Sequence, residues 1–249
     1  MSKIISVTNQ KGGVGKTTTA ATIAHGLSQR GRSVLLLDFD PQGQCATALG
    51  LNPEPCVFNL LITSQSPFLW VRDSGRPNLR LIPGDRTTAT AQAVINAESR
   101  SASAVLDAVK PLLKEYEFAI FDTAPSAGGL QERAIWASDY VLIPTATEFL
   151  SSDGLTQIMS TLGHLRETRN WKGKLLGVLP TFYDEQTRES KTTLDDLRKN
   201  FGEAVLSPIH RATLLRECAA EGVTVLEKDP DCRAAAEYNS LIDTIIKRA

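Results

Sequence analysis

No stretch of this 249-residue sequence approaches the ~20 consecutive apolar residues of a membrane span, and no repeat or low-complexity tract interrupts it. The opening residues run directly into a β-branched segment, without the charged and apolar regions of a secretory leader. Cysteine is scarce. Cys45, Cys56, Cys218 and Cys232 show no C-x-x-C spacing, which argues against disulfides or a cysteine metal site and for buried or partly buried thiols in a reducing, cytoplasmic compartment. The histidines His25, His164 and His210 lie far apart and carry no metal-binding spacing. An excess of either charge is missing too: 27 Lys and Arg stand against 28 Asp and Glu, so bulk charge does not announce a nucleic-acid partner. A local bias survives in residues 166–216, where 10 basic residues meet 7 acidic ones, but by itself this reads as a solvated face.

What is present suits one soluble domain over residues 1–249. Hydrophobic residues make up 42% and mean hydropathy is −0.13, enough for a substantial core. The densest signal is KGGVGKTT, from Lys11 to Thr18, a variant of the P-loop pattern G-x-x-x-x-G-K-[ST] with a second lysine at its head. Gly12, Gly13 and Gly15 can take φ > 0, and with Val14 their backbone N–H groups can converge on phosphate oxygens. Lys16 is placed to reach the β- and γ-phosphates, the Thr17 hydroxyl to ligate Mg²⁺, and Thr18 continues the cradle. A strand precedes (Lys3 to Thr8, KIISVT). A helix follows, with Ala20, Ile23, Ala24 and Leu27 at helical spacing and Gly31 as its C-terminal stop. That helix aims its positive end at the same anion.

The rest alternates strand and helix. Strands are expected at Ser33–Asp38, Leu79–Ile82, Phe118–Asp122, Tyr140–Ile143 and Leu175–Leu179. Helices are expected near Ser101–Glu115, Gly129–Ser138, Ser152–Arg169, Thr192–Phe201, Thr213–Glu221 and Arg233–Lys247, with Gly50–Pro77 the least regular part. The fold class that follows is α/β: a mostly parallel, twisted sheet with helices on both faces, as in P-loop NTPases. Ligands of such sheets sit beyond the carboxyl ends of the strands. Asp122 closes the apolar run FAIFD as a Walker B acid that holds Mg²⁺ or its water, and Asp38 and Asp40 reach the same rim at the end of LLLDFDPQG. The segment Thr123 to Gly129 is suited to sensing a γ-phosphate.

The head lysine, Lys11, wants an anion of its own, and here the chain resembles the deviant Walker A ATPases, the group containing ParA, MinD and the nitrogenase iron protein. DFDPQG (Asp38 to Gly43) is similar to the ParA element D-x-DPQ-G, and DTAPS (Asp122 to Ser126) to D-x-P-P-S with Ala124 replacing a proline. PTATEFLSSDGL (Pro144 to Leu155) resembles the segment that helps build the dimer face, and LPTFYDEQT (Leu179 to Thr187) the stretch near the base. The resemblance implies ATP and Mg²⁺ as cofactors. It makes Lys11, Lys16 and Asp40 catalytic, with Lys11 reaching across a dimer to the other subunit's nucleotide and Asp40 positioning the attacking water. Thr17, Asp38 and Asp122 form the metal site.

The same resemblance implies an ATP-dependent homodimer that binds double-stranded DNA nonspecifically, associates with the nucleoid, and is released by a ParB-like or other cargo adaptor that stimulates hydrolysis. Departures bear on the DNA surface. SPIHRATLLREC (Ser207 to Cys218) keeps Arg211 and Glu217 of the family's I-P-R-N-x-R-L-S-E-A but has Leu214 in place of the second arginine, and Gln186 stands where an arginine is common. The surface is then either rebuilt from Arg188, Lys191, Arg211 and Arg216 or weaker than in those relatives. Because the P-loop begins at residue 11, the longer plasmid type with an extra operator-binding domain is not expected.

Other classes fit less well. A MinD-like membrane positioner needs a basic amphipathic terminal helix, whereas YNSLIDTIIKRA has Leu241, Ile242, Ile245 and Ile246 on one stripe with Lys247 and Arg248 alone as cations, so no membrane partner is expected. An iron–sulfur carrier needs cysteines poised to share a cluster, and Cys218 and Cys232 fall on late helical segments instead.

Overall fold

A computed structural model describes residues 2–125, 129–148 and 152–249, and its core is a seven-stranded sheet. The strands are β1 (Lys3–Val7), β2 (Val34–Phe39), β3 (Arg72–Asp73), β4 (Leu79–Ile82), β5 (Phe118–Thr123), β6 (Tyr140–Ala146) and β7 (Lys174–Thr181), in the spatial order β3-β4-β2-β5-β1-β6-β7. All neighbours run parallel except β3, a two-residue edge strand antiparallel to β4. The mostly parallel sheet expected from the alternation is therefore the observed one.

The period of two in each strand sorts side chains between two buried layers. In β2, Val34 and Leu36 face one apolar cluster while Leu35 and Leu37 face the other. The first layer is completed by α1 (Lys16–Gln29), α9 (Thr213–Glu221), α10 (Val225–Lys228) and α11 (Arg233–Arg248). The second is completed by α3 (Cys56–Ile62), α4 (Thr87–Ala97), α5 (Ala104–Val109) and α6 (Leu130–Trp136). A third cluster joins β6 and β7 to α7 (Ser152–Arg169) and α8 (Arg188–Phe201). The short helix α2 (Gln44–Ala48) follows the turn after β2. Strands covered on both faces bury their whole length, which is why β2 and β5 read as unbroken apolar runs ending in an acid.

Several boundaries differ from expectation for local reasons. The stretch 50–77 contains α3, a 3₁₀ turn at Pro67–Trp70 and β3, so it is more regular than its composition suggests. α4 is an element that the periodicity does not announce; its Thr88, Ala91 and Ile95 bury at helical spacing, and Asp85 accepts the Thr87 backbone N–H ahead of its first turn. The helix expected over 101–115 stops at Val109, because Pro111 cannot donate to the preceding turn, and resumes as a 3₁₀ turn at Leu112–Lys114. α8 starts four residues early, capped by the Thr187 hydroxyl accepting the Ser190 N–H. The apolar stripe of α11 is consumed inside the molecule: Leu241, Ile242 and Ile245 are buried in the first layer.

Candidate active site

Strands β1, β5 and β2 lie side by side and end level, with Val7 opposite Asp122 and Asp38 opposite Asp122. Loops leaving all three therefore meet at one edge. They surround a cleft of about 650 Å³ whose walls include Lys16, Thr17, Asp40, Gln44, Gln92 and Pro125. Helix α4 supplies Gln92 from a segment that carried no sequence signal for the site.

The loop before α1 shows why glycine is required there. Gly13 and Gly15 have φ of 72° and 83°, and Gly15 is the N-cap of the helix; of the three glycines that can take a positive φ, Gly12 does not use it. Val14 is buried, so the loop is anchored rather than draped over the surface. The first turn of α1 contains no acid that would compete for its N–H groups.

Lys16 is buried at 6% exposure and its ammonium donates to the Lys11 carbonyl at 2.9 Å. Burial lowers its pKa, opposed by the nearby charges of Asp122 and Asp40. Lys11 sits on the same loop, its backbone N–H donating to Asn9 Oδ1 at 2.9 Å, and Gly154 at the start of α7 packs against it so closely that a Cβ there would lie 2.8 Å from the Lys11 Cβ. Thr17 donates its hydroxyl to Asp122 Oδ2 at 2.6 Å, joining P-loop and Walker B acid directly.

Asp122 is fully buried, and among the described residues its second oxygen, Oδ1, has no hydrogen-bond partner. Burial raises its pKa to about 6, against the pull of Thr17 and Lys16. An orphaned carboxylate oxygen beside a hydroxyl is the donor set a hard divalent cation takes, so the residues present fit magnesium. Asp38 is also buried, but its two oxygens accept the backbone N–H groups of Asp40 (3.1 Å) and Cys45 (2.9 Å). It braces the turn that presents Asp40 and adjoins Asp122, which with its own burial pushes its pKa well up. Cys45, read from sequence as one of four buried or partly buried thiols, donates to Asp122 Oδ2 at 3.4 Å, and its Sγ and oxygens of Asp38 and Asp122 lie within 4.8 Å of one another. No spacing in the sequence links it to the site.

Asp40 lines the cleft, and one of its oxygens holds the Gln42 N–H at 2.9 Å. The tight turn needs Gly43, with φ 65° and the Gly84 carbonyl 2.6 Å from where a Cβ would stand. Of the segment expected to sense γ-phosphate, Thr123 to Pro125 are described and Ser126 to Gly128 lie outside the described residues; residues 149–151 of the expected dimer-face segment do as well.

A second cavity, about 350 Å³, shares Gly13, Gly15, Thr18 and Phe182 with the cleft and is otherwise walled mostly by apolar side chains such as Ile209, Leu215 and Tyr238. Phe182 stands between the two with φ 53°, a strained value for an aromatic residue and of the kind that persists at functional sites.

The four basic residues assigned to a DNA surface are not brought together as one free patch. Arg188 and Lys191 are exposed on the first turn of α8. Arg211 is ion-paired with Glu148, and Arg216, on α9, lines the second cavity.

Comparisons with known proteins agree with this geometry. A family described as an AAA domain matches residues 2–175. The sporulation initiation inhibitor protein Soj of Bacillus subtilis is 34% identical, over 97% of each chain. The chromosome partitioning protein ParA of Caulobacter vibrioides is 31% identical over 99% of this chain and 94% of its own. Among solved structures, cobyrinic acid a,c-diamide synthase from Mycobacterium smegmatis with bound ATP analogue and magnesium superposes with a TM-score of 0.87 at 29% identity, over 99% of this chain and 95% of that one. A P-loop headed by Lys11, an aspartate pair at the end of β2 and a Walker B acid touching the P-loop threonine thus occur in a chain that aligns with Soj and ParA over nearly its whole length, and the protein belongs to the ParA/Soj family of deviant Walker A ATPases.

Proposed function

We propose that this chain, acting as one domain over residues 1–249, binds Mg·ATP, hydrolyses it slowly, and uses the cycle to partition or position a cargo on nonspecific DNA. The observation that carries the reading is that Lys16, Thr17 and Asp40 line one cleft while Asp122, buried beneath it, accepts from Thr17 and has no hydrogen-bond partner for its other oxygen among the described residues. Lys16 neutralises phosphate charge, and the N–H groups of the loop and of α1 hold the phosphate oxygens. Magnesium bound beside Thr17 and Asp122 would supply the positive charge that stabilises the leaving phosphate. Asp40, held by the Gln42 N–H, orients the attacking water. The base enters the second cavity beyond Gly13 and Gly15, against Phe182. Two subunits then close face to face with Lys11 crossing to the opposite nucleotide. The closed dimer presents two weak basic surfaces to DNA at once, so effective concentration multiplies their affinity. Hydrolysis, stimulated by an adaptor protein, reopens it, and the protein is cytoplasmic and nucleoid-associated.

A MinD-like membrane role is disfavoured by the packing of α11, whose apolar stripe is taken up in the core and whose Arg248 donates to the Leu176 carbonyl at 3.1 Å. Two variants test the nucleotide cycle together. Lys16→Ala removes ATP binding in calorimetry, and Asp40→Ala keeps ATP binding but runs as a trapped dimer in size-exclusion chromatography. Near-wild-type ATP affinity in the first, or normal turnover in the second, overturns the assignment.

A further inference from the structure

Glu237, on the second turn of α11, does not line either cavity, yet it fixes the wall of one. Its Oε2 accepts the His210 backbone N–H at 2.9 Å, and its Oε1 pairs with His210 Nδ1 at 2.6 Å and with Arg233 Nε at 2.9 Å. Arg233 reaches His210 Nε2 at 2.5 Å with another nitrogen and Glu185 at 3.1 Å with a third. Arginine has no acceptor, so Nε2 accepts and the ring proton sits on Nδ1, facing Glu237. Both ends of the imidazole are thereby held, and its edge packs on Tyr183 with ring centroids 4.9 Å apart.

The held segment is laced to the strained one. Ile209 N–H donates to the Pro180 carbonyl (2.9 Å), Tyr183 N–H to Ile209 (3.1 Å) and Arg211 N–H to Tyr183 (2.9 Å). Phe182, with its positive φ, lies inside this ladder, and Ile209 and His210 form the face of the second cavity. A carboxylate 16% exposed, with both oxygens committed to one histidine of another segment, is a brace rather than a solvated surface charge.

We propose that Glu237 is a positioning residue for the nucleoside end of the nucleotide: it acts through His210 to hold the Phe182–Ile209 wall where base and ribose bind. The inference rests on the reading that the base occupies the second cavity. It separates the two halves of the ligand, because the phosphates bind the P-loop and the cleft, which Glu237 does not touch.

Tripolyphosphate, which carries the charge of ATP without base or ribose, makes the test. Calorimetry with Mg·ATP and with Mg·tripolyphosphate is run on wild type, Glu237→Ala and Glu237→Gln, with thermal melting to confirm that each is folded. Glu237→Ala is expected to weaken ATP by about tenfold while tripolyphosphate changes by less than about twofold. Glu237→Gln, which keeps an acceptor for the backbone N–H, falls between wild type and Glu237→Ala for ATP and leaves tripolyphosphate alone. Should the alanine variant not fold, the glutamine variant decides by the same split. An equal loss for both ligands, or no loss for ATP, overturns the proposal. Wild-type protein that binds tripolyphosphate but gains nothing from the nucleoside overturns it as well, and wild type that binds neither ligand fails the P-loop reading itself.

Discussion

Asp122 illustrates what the site costs at the scale of one residue. Its carboxylate is fully buried, with its pKa raised to about 6 by burial and one oxygen unpartnered among the described residues. At neutral pH the apo fold therefore holds a poorly solvated charge that a bound cation would offset. Asp122→Asn keeps the shape and can still accept from Thr17, but removes the charge. The apo variant should be more stable by ~1–3 kcal/mol, which for a chain of this size raises the melting temperature by roughly 2–4 °C per kcal/mol. Mg²⁺-dependent hydrolysis should be lost in the same protein. A calorimetric melt that falls, with activity retained, contradicts this role.

At the scale of elements, the clasp between α1, α10 and the turn before β4 is distant from the chemistry but sets the protein's response to acid. Arg76 is nearly buried, forms a two-point ion pair with Glu227 (both distances 2.9 Å), and bonds the Leu49, Ser74 and Gly222 carbonyls. Glu227 closes a capping box with Thr224, whose hydroxyl meets His25 Nδ1 at 2.7 Å. Burial lowers the His25 pKa, with Glu227 opposing and Arg76 reinforcing. A base depressed in the fold binds its proton more readily when unfolded, so its contribution is full above the unfolded value of ~6.5 and is lost as pH falls below it. Asp122 works the other way: raised in the fold to about 6, it gains stability as pH falls below that value. His25→Gln should thus melt lower than wild type at pH 8 yet lose less stability between pH 7 and 5. Parallel melting curves across that range would mean that His25 takes up its proton equally in the folded and unfolded states and contributes nothing to the acid response.

At the scale of the whole molecule, net charge is −1, so the proposed DNA binding would depend on local display and on dimerisation rather than on bulk attraction. Of the four cations assigned to DNA, Arg188 and Lys191 are exposed at the start of α8, while Arg211 is held by Glu148. ATP-locked Asp40→Ala dimers should bind unrelated duplexes equally, with affinity falling steeply as salt rises. Arg188→Glu or Lys191→Glu should weaken binding to every duplex and flatten the salt slope by about one for each phosphate no longer neutralised. Gel shifts over several salt concentrations measure both. Dimers that ignore DNA at low salt but float with anionic liposomes would favour the membrane alternative.

The sequence by itself determined what short windows encode. Unbroken apolar runs ending in Asp38 and Asp122 required strands buried on both faces with their acids at one rim, because only that placement removes the runs from water. The glycines at 13 and 15 required a left-handed loop at the start of a helix, since a Cβ makes that backbone costly for other residues. What escaped the sequence involves partners far apart along the chain. Thr17 meets Asp122 across 105 positions, and Glu237 meets His210 from another segment, so no local spacing announces either bond. α4 escapes a reading of periodicity because its buried positions, Thr88 and Ala91 among them, are small and give a weak periodic signal. Cys45 and Arg211 show the same limit: one packs beside Asp122 and the other pairs with Glu148 only because the parallel sheet brings their loops together. Local backbone preference and the period of apolar residues choose the elements; which side chains converge is decided by how those elements pack.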